Sequence, residues 1–332
     1  RMRQEFTAQT RKEIKRTCKG RVINNLGRCI GINFLYLVPF VLLFIMVYLA
    51  MFGRVFAMVM AGYTDEYMLS MALTRSMNTV WLVMLLMIVI SGPLTFGMMR
   101  FYLGLQRGED LGVSTLFKPF TSLRSIWTGI KMEFCLTFRS FLWMLGPTIV
   151  YMVLAFSLAF SAAISGNPNG ASAVLTVLNI LYIIALIPIE VKVMTYNAGW
   201  VVLCNDETHS VWDATREASA AFKGQYGKLF VFVLSFIGWY ILLLGVTYLC
   251  IGLGVAGIML VAGGTGIAIA VAAFIAAVCL TVLLGAFVNA YELTSFFGMY
   301  EYLSKPAMPD MGSQNTPFTD SWPGQGGDGT PQ

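Results

Sequence analysis

Long uncharged stretches alternate with short polar segments along the chain. Four of these stretches contain 25, 24, 50 and 63 consecutive uncharged residues, and they begin after Arg28, Arg75, Arg139 and Lys228. Because roughly 20 apolar residues of α-helix cross the hydrocarbon core of a bilayer, each shorter stretch predicts one span and each longer stretch predicts two. The pattern therefore predicts six transmembrane helices. They lie near 30–52, 76–99, 141–163, 173–196, 229–251 and 266–290.

The two longest stretches each contain a segment that favours a turn. Residues 165–170 read Ser-Gly-Asn-Pro-Asn-Gly, and residues 252–266 contain six glycines. Both compositions are typical of chain reversals. Helices are favoured over other structures because lipid provides no hydrogen-bond partner for an unpaired backbone group. We therefore expect an all-α polytopic membrane protein whose six transmembrane helices form three consecutive hairpins.

Basic segments that also contain apolar residues precede the predicted hairpins. In the first segment, apolar residues recur every fourth position at Ile14, Cys18, Val22 and Leu26. Cations lie between them, at Arg11, Lys12, Lys15, Arg16 and Lys19. This spacing predicts an amphipathic helix at the membrane surface, with its apolar side toward the lipid and its cations toward anionic head groups. Each hairpin is expected to have such an interfacial helix before it.

The polar segments at the two ends divide the chain into three parts. Residues 1–28 predict a basic amphipathic cytoplasmic segment and not a signal peptide, because polar and basic residues fill the region before the first apolar run. Residues 29–303 contain the six predicted spans of the membrane domain. Residues 304–332 are rich in Gly, Pro, Ser, Thr and Asp, and they predict a disordered cytoplasmic tail.

Composition and charge agree with a membrane protein and predict its orientation. Hydrophobic residues make up 57% of the chain and charged residues only 12%, which is about half the charged fraction of a soluble domain. Twenty of the 22 Lys and Arg residues lie on one side of the predicted spans, and only Arg54 and Arg75 lie on the other. Since cytoplasmic loops carry the excess of cations, both termini are predicted in the cytoplasm. The net charge of +5 then reflects topology and attraction to anionic lipid head groups, and we expect no nucleic-acid partner.

Polar residues near the inner ends of two spans are candidates for a pocket. Pro188, Glu190 and Lys192 lie late in span four, and Asn289 and Glu292 lie at the end of span six. A charged side chain inside a membrane normally faces a cavity or a partner, because lipid solvates it poorly. These residues either line a polar pocket or, with Lys192 extending to the head groups, anchor the helix at the interface.

Span six carries small residues at every fourth position, on two adjoining stripes. One stripe is Gly264, Ala268, Ala272 and Ala276, and the other is Ala273, Ala277, Thr281, Gly285 and Asn289. Such stripes let helices approach closely in lipid. They favour packing against another span of the same chain, or a contact with a second copy or with another membrane protein.

Catalytic and cofactor-binding patterns are absent from the sequence. His209 is the only histidine, and the six cysteines have no metal-ligand or redox spacing. No pair of carboxylates lies within the predicted spans, and no nucleophile or phosphate-binding motif has its required context. We therefore expect no enzyme activity, no cofactor and no metal site.

Several short motifs occur in an order that resembles a family of bacterial multi-pass membrane proteins known as domain of unknown function family 975. Those near the candidate pocket are Pro188, Lys192 and Tyr196. The others are Gly92-Pro93-Leu94 with Gly97, Arg107-Gly108-Glu109, Leu116-Phe117, Asp206, Glu217, Ser219, Lys223-Gly224, Phe236-Ile237-Gly238-Trp239 and Tyr300-Glu301. The resemblance implies a six-span fold in the bacterial inner membrane and no established activity. The pattern is also similar to the membrane domain attached to some glycerophosphodiester phosphodiesterases, which implies a role that involves lipid.

Two functions fit these features. The first is a non-enzymatic inner-membrane protein that interacts with lipid, or that serves as an accessory or scaffolding subunit in envelope physiology. The second is a transporter or permease for a small or amphipathic solute, with Pro188, Glu190, Lys192 and Asn289 along its path. The second function requires these side chains to meet at a polar cavity.

Overall fold

A computed structural model describes residues 6–62, 66–165, 168–261 and 264–305. Within these ranges the chain forms ten α-helices and one 3₁₀ helix, and it contains no strand. The elements are α1 (Ala8–Asn24), α2 (Leu26–Met60), α3 (Glu66–Arg107), the 3₁₀ helix (Val113–Thr121), α4 (Leu123–Ser165), α5 (Pro168–Asn197), α6 (Gly199–Asn205), α7 (Val211–Ala221), α8 (Tyr226–Leu234), α9 (Ile237–Leu260) and α10 (Gly264–Ser304).

Six helical segments among the described residues are long and apolar enough to cross a membrane. They are Leu26–Met60, Met77–Arg107, Leu123–Ala162, Ser172–Asn205, Tyr226–Gly257 and Thr265–Ser304. Each predicted span falls within one of these segments to within one residue at its ends, so the prediction of six apolar helices is confirmed. The chain is thus a multi-pass membrane protein. The predicted tail lies almost entirely outside the described residues, and so do parts of the predicted outer turns, at 166–167 and 262–263.

The buried core lies where the helices extend beyond their predicted spans. Tyr102 near the end of α3, Trp200 in α6, Phe222 after α7 and Phe296 in α10 are at most 1% exposed. By contrast, the most apolar parts of α4 and α5 contain no buried residue, and Phe156 is 75% exposed. Exposed apolar surface of this extent is unfavourable in water. We therefore take lipid to be the solvent of the spans, and protein to surround the aromatic side chains at one end of them.

Consecutive long helices pack against each other: α2 against α3, α4 against α5, and α9 against α10. The packing of α9 on α10 explains one of the small-residue stripes. Ala273 lies opposite Gly254 of α9, and the Thr281 hydroxyl is 2.8 Å from the Thr247 hydroxyl. This stripe packs within the chain, whereas Ala268 and Ala272 of the other stripe are exposed.

The helix α1 packs on protein along the stripe that the sequence predicts to face lipid. Cys18 and Val22 are at most 2% exposed, and the Cys18 thiol donates to the Thr294 carbonyl oxygen in α10. Ile14 lies against Gly298, where a Cβ would be only 3.0 Å from its side chain. The reason for the difference is that α10 continues to Ser304 and provides a protein surface beyond the predicted end of span six.

The fifth predicted span contains a break between α8 and α9. At the break the Trp239 N–H donates to the Phe236 carbonyl oxygen and not to that of Ser235, four residues before it. The Lys15 ammonium of α1 donates to the Ser235 carbonyl oxygen at 3.1 Å and to its hydroxyl at 2.8 Å. Lys15 Nζ also lies 3.9 Å from the centre of the Phe236 ring, a favourable cation–π distance. Lys15 therefore joins α1 to the break.

Candidate functional site

A cavity of about 590 Å³ lies between α5, α8 and α10. Most of its lining is apolar, including Ile187 of α5, Phe230 of α8 and Leu293 of α10. Four polar side chains also line it, and they are Glu190, Asn197, Asn289 and Glu292. An apolar cavity with a few convergent polar groups is the usual form of a small-molecule site.

Helical periodicity places these residues on facing surfaces. In α5, Ile183, Ile187, Glu190, Met194 and Asn197 recur at intervals of three or four residues and all line the cavity. This interval places them on one side of a helix. The α10 residues of the lining, from Asn289 to Phe296, follow the same interval. The sequence thus determines which side of each helix carries the carboxylates, and the fold brings the two sides together.

The two carboxylates of the cavity differ in their surroundings. Glu292 is half-buried and accepts a hydrogen bond from the Tyr240 hydroxyl of α9. Burial and the charge of Arg11 lower the pKa of Lys15, and the negative charge of Glu292 partly offsets them. Glu190 is exposed to the cavity and has no hydrogen-bond or ion-pair partner among the described residues. One carboxylate is therefore fixed by the protein, and the other remains available to a ligand.

A hydrogen-bond chain positions Asn289. Its amide donates to Asn33 Oδ1 of α2 at 2.8 Å. The Asn33 amide in turn donates to the Cys29 carbonyl oxygen at 2.8 Å and to the Tyr102 hydroxyl of α3. The chain ties α10 to α2 and α3 behind the cavity. Sequence reasoning missed Asn33, although it shares the signal that identified Asn289, an amide side chain within an apolar run.

The other polar candidates of α5 do not line the cavity. The Lys192 ammonium donates to the Ser219 hydroxyl of α7 at 2.8 Å and to the Tyr226 hydroxyl of α8 at 2.9 Å. Tyr196 is 7% exposed, and its hydroxyl accepts a hydrogen bond from Trp143 Nε1 at 3.2 Å. Pro188 is exposed and lies outside the lining. Of the Pro188, Glu190 and Lys192 group, the structure brings only Glu190 to Asn289.

Other motif residues lie away from the cavity, and two of them, Arg107 and Gly92, hold helices together. Arg107 donates to Glu301 Oε1 of α10 from Nε at 2.8 Å and from Nη2 at 2.7 Å, and to Asn205 Oδ1 at 2.7 Å. Gly92 lies against Gly129 of α4, where a Cβ would be 2.6 Å from the Gly129 carbonyl carbon. These contacts join α3 to α10 and to α4. Pro93 lies inside the continuous helix α3, and Glu109 is exposed in the loop that follows it.

A second ion pair, which sequence reasoning also missed, joins α3 to the segment after α6. The Arg100 guanidinium pairs with Glu207, whose other carboxylate oxygen accepts from the Ser125 hydroxyl at 2.7 Å. Burial raises the pKa of Glu207, but the hydrogen bonds from Ser125 and Arg100 and the nearby guanidinium charges outweigh burial and lower it. Glu207 is therefore a carboxylate that the fold keeps ionised.

The basic residues of α1 divide between protein and solvent. Lys12 and Arg16 are exposed, and Arg11 is half-buried. Lys19 Nζ lies 5.5 Å from the centre of the Trp239 ring, and Lys15 binds Ser235. Some of the predicted membrane-surface cations thus contact protein, while Lys12 and Arg16 remain free to meet head groups.

Comparison with known proteins gives one match. A family model described as "Protein of unknown function (DUF975)" matches residues 2–262. No curated protein and no solved structure matches the chain. The matched residues include the α5 and α8 walls of the cavity, and the α10 wall lies beyond them. The similarity to the membrane domain of some glycerophosphodiester phosphodiesterases stays a prediction.

Proposed function

The chain belongs to the DUF975 family of proteins of unknown function, and from this premise we propose that it is a bacterial cytoplasmic-membrane protein that binds a small cationic or amphipathic solute between α5 and α10 and carries it as a transporter or permease. The observation behind the proposal is that Glu190, Asn289 and Glu292 line one cavity. Ionisable side chains at membrane depth are costly and usually functional.

The chemistry of the lining favours a positively charged ligand with an apolar part. The two carboxylates complement an ammonium or similar cation, and side chains such as Leu186 and Phe230 complement hydrocarbon. Ile183 and Ile187 are 61% and 41% exposed on the same surface of α5. In a bilayer these side chains contact lipid, so an amphipathic molecule would enter the cavity from the membrane.

A second candidate function is a non-enzymatic lipid-interacting, accessory or scaffolding subunit. The exposed cations Lys12 and Arg16 of α1 favour it, because each cation near an anionic leaflet adds about 1 kcal/mol of attraction. The exposed small residues Ala268, Ala272 and Ala276 of α10 support a contact with a second copy or another membrane protein. Both candidates share three hairpins, each preceded by a helix at the inner membrane surface, and cytoplasmic termini.

The test of the cavity is binding of radiolabelled tetraphenylphosphonium, a lipophilic cation, to the full chain in nanodiscs. We expect Glu190→Gln to weaken binding about tenfold by removing one nearby unit charge, and the Glu190→Gln/Glu292→Gln double variant to abolish it. Asp213→Asn removes an exposed carboxylate outside the cavity and is the matched control. Unchanged binding in the double variant, or equal loss in the control, contradicts the proposal.

A further inference from the structure

A second cavity, of about 860 Å³, lies on a different side of the molecule. Its walls come from the first turns of α4, the segment between α6 and α7, the first turn of α7, and one residue of α3, Ile88. The lining combines the cations Arg124 and Lys131 with the indole rings of Trp127 and Trp212. It shares no residue with the cavity between α5 and α10.

The cations of this lining outnumber the acids beside them. Arg124 and Lys131 are exposed, and neither forms an ion pair in the part of the chain that the structure describes. Glu207, the one carboxylate of the lining, is occupied by Arg100 and Ser125. The nearby Asp206 accepts hydrogen bonds from Thr208 at 2.7 and 2.8 Å. The Thr208 hydrogen bonds and the charges of His209 and Arg124 lower the pKa of Asp206, so it stays ionised. Arg124 also acts on Glu207. Because Arg100, Arg124 and Lys131 outnumber these two carboxylates, the cavity keeps a net positive charge.

The lining also contains His209. Its Nε2 lies 3.7 Å from Glu217 Oε2 of α7, outside the cavity. Hydroxyl groups of Thr128, Thr208 and Ser210 add polar surface to the same wall. These groups and the cations match the oxygen atoms of a phosphate better than they match a cation or a purely apolar ligand.

Apolar side chains continue from the cations toward the membrane. Trp127, Phe134 and Ile88 are 56%, 65% and 51% exposed. Arg124, Thr128, Lys131 and Phe134 recur at helical intervals along one side of α4. Phe134 comes seven residues before the predicted start of span three at 141, which is about 10 Å along a helix. The cavity therefore crosses from the polar segment to the apolar surface of the spans.

We propose that this cavity binds the head group of an anionic phospholipid of the inner leaflet. Arg124 and Lys131 contact the phosphate, the two indole rings lie at the level of the head groups, and the acyl chains run along Phe134 and Ile88. Basic pockets next to spans on the cytoplasmic side are suited to anionic lipid, and tryptophan is favoured at the interface. A soluble phosphate would make no use of the apolar side of the cavity.

The test is native mass spectrometry of the full chain in detergent, titrated with phosphatidylglycerol and, separately, with phosphatidylcholine. We expect tight uptake of phosphatidylglycerol, and affinity about thirtyfold lower in the Arg124→Gln/Lys131→Gln variant, since two cations contribute. The exposed cations Lys118 and Arg216 lie outside the cavity. The control variant Lys118→Gln/Arg216→Gln carries the same change in charge and should bind as the unchanged chain does.

Two further arms separate the alternatives. The variant Arg124→Lys/Lys131→Arg keeps both charges and should retain binding, which also shows that the positions tolerate substitution. Inorganic phosphate or glycerol phosphate, at millimolar concentration, should not displace the lipid. The proposal would be overturned if the site variant lost no affinity, or if the control variant lost as much affinity as the site variant. It would also be overturned if the chain bound phosphatidylcholine as well as phosphatidylglycerol, or if the soluble anions displaced the lipid.

Discussion

Several polar side chains near the spans bind a side chain on another helix, whereas Glu190 has no such partner among the described residues. Lys192 reaches α7 and α8, Arg107 reaches α10, and Asn289 reaches α2. Those contacts compensate the cost of removing the groups from water. Glu190 has only the cavity in front of it within the described residues. Because Glu190 is exposed to the cavity and no protein group neutralises its carboxylate, we infer that it is available to bind a ligand.

Two facing glycines determine how closely α3 and α4 approach. A Cβ built on Gly129 would lie 2.8 Å from the carbonyl carbon and oxygen of Gly92. Because the neighbours are backbone atoms, one helix must move, and we expect Gly129→Ala to destabilise the fold by about 1–3 kcal/mol. Gly146, later in α4, has no atom within 4 Å of its Cβ position. Gly146→Ala is thus the control, and thermal unfolding in detergent measures both. Equal unfolding temperatures for the two variants would contradict the close approach.

The helices that cross the membrane could be predicted from the sequence because length and hydrophobicity are local properties. The start of α4 at Leu123 and the docking of α1 could not. They depend on protein contacts that replace solvent, such as Ile14 on Gly298 and Lys15 on Ser235. An apolar stripe predicts that a helix has one buried side, but it does not tell whether lipid or protein covers that side.

The cavity could be predicted only in part. Glu190 and Asn289 were identified because polar residues are rare in apolar runs. Their meeting in one cavity, and the departure of Lys192 to Ser219, depend on the rotation of α5 relative to α7 and α10. Glu190 and Lys192 are two positions apart, so they point to different sides of a helix. Sequence spacing therefore excluded a shared contact but could not say which residue faces the cavity.

The position of α1 can be tested through Cys18. Its side chain is 2% exposed, and burial raises the pKa of its thiol to about 11. Because the thiolate is the reactive form, docked α1 should make Cys18 slow to react with a maleimide. In a chain whose other cysteines are replaced by alanine, we expect Lys15→Met to loosen α1 and speed this reaction about tenfold. Lys12→Met changes an exposed cation of the same helix and should have little effect. Equal rates in the two variants would show that the contact of Lys15 with Ser235 does not hold α1.

The whole molecule consists of a packed layer and a set of spans that depend on lipid. The buried aromatic core and the ion pairs Arg107–Glu301 and Arg100–Glu207 lie at the same ends of the long helices. Nearly all the cations of the chain belong to segments at that end. The core and the cations thus share one side of the membrane. Since cations are retained in the cytoplasm, the packed layer should be cytoplasmic, and both cavities should lie at or near the inner leaflet.

This orientation can be tested with two single cysteines placed on a cysteine-free chain. Lys118 precedes the third span and Thr265 is the first residue of the sixth, and both are exposed. Three spans separate them, so they must lie on opposite sides of the membrane. In intact cells, a membrane-impermeant maleimide should label Thr265→Cys, and it should label Lys118→Cys only after permeabilisation. The reverse pattern would mean that the packed layer faces outward, against the distribution of cations. Labelling of both positions in intact cells would mean that the chain crosses the membrane an even number of times between them.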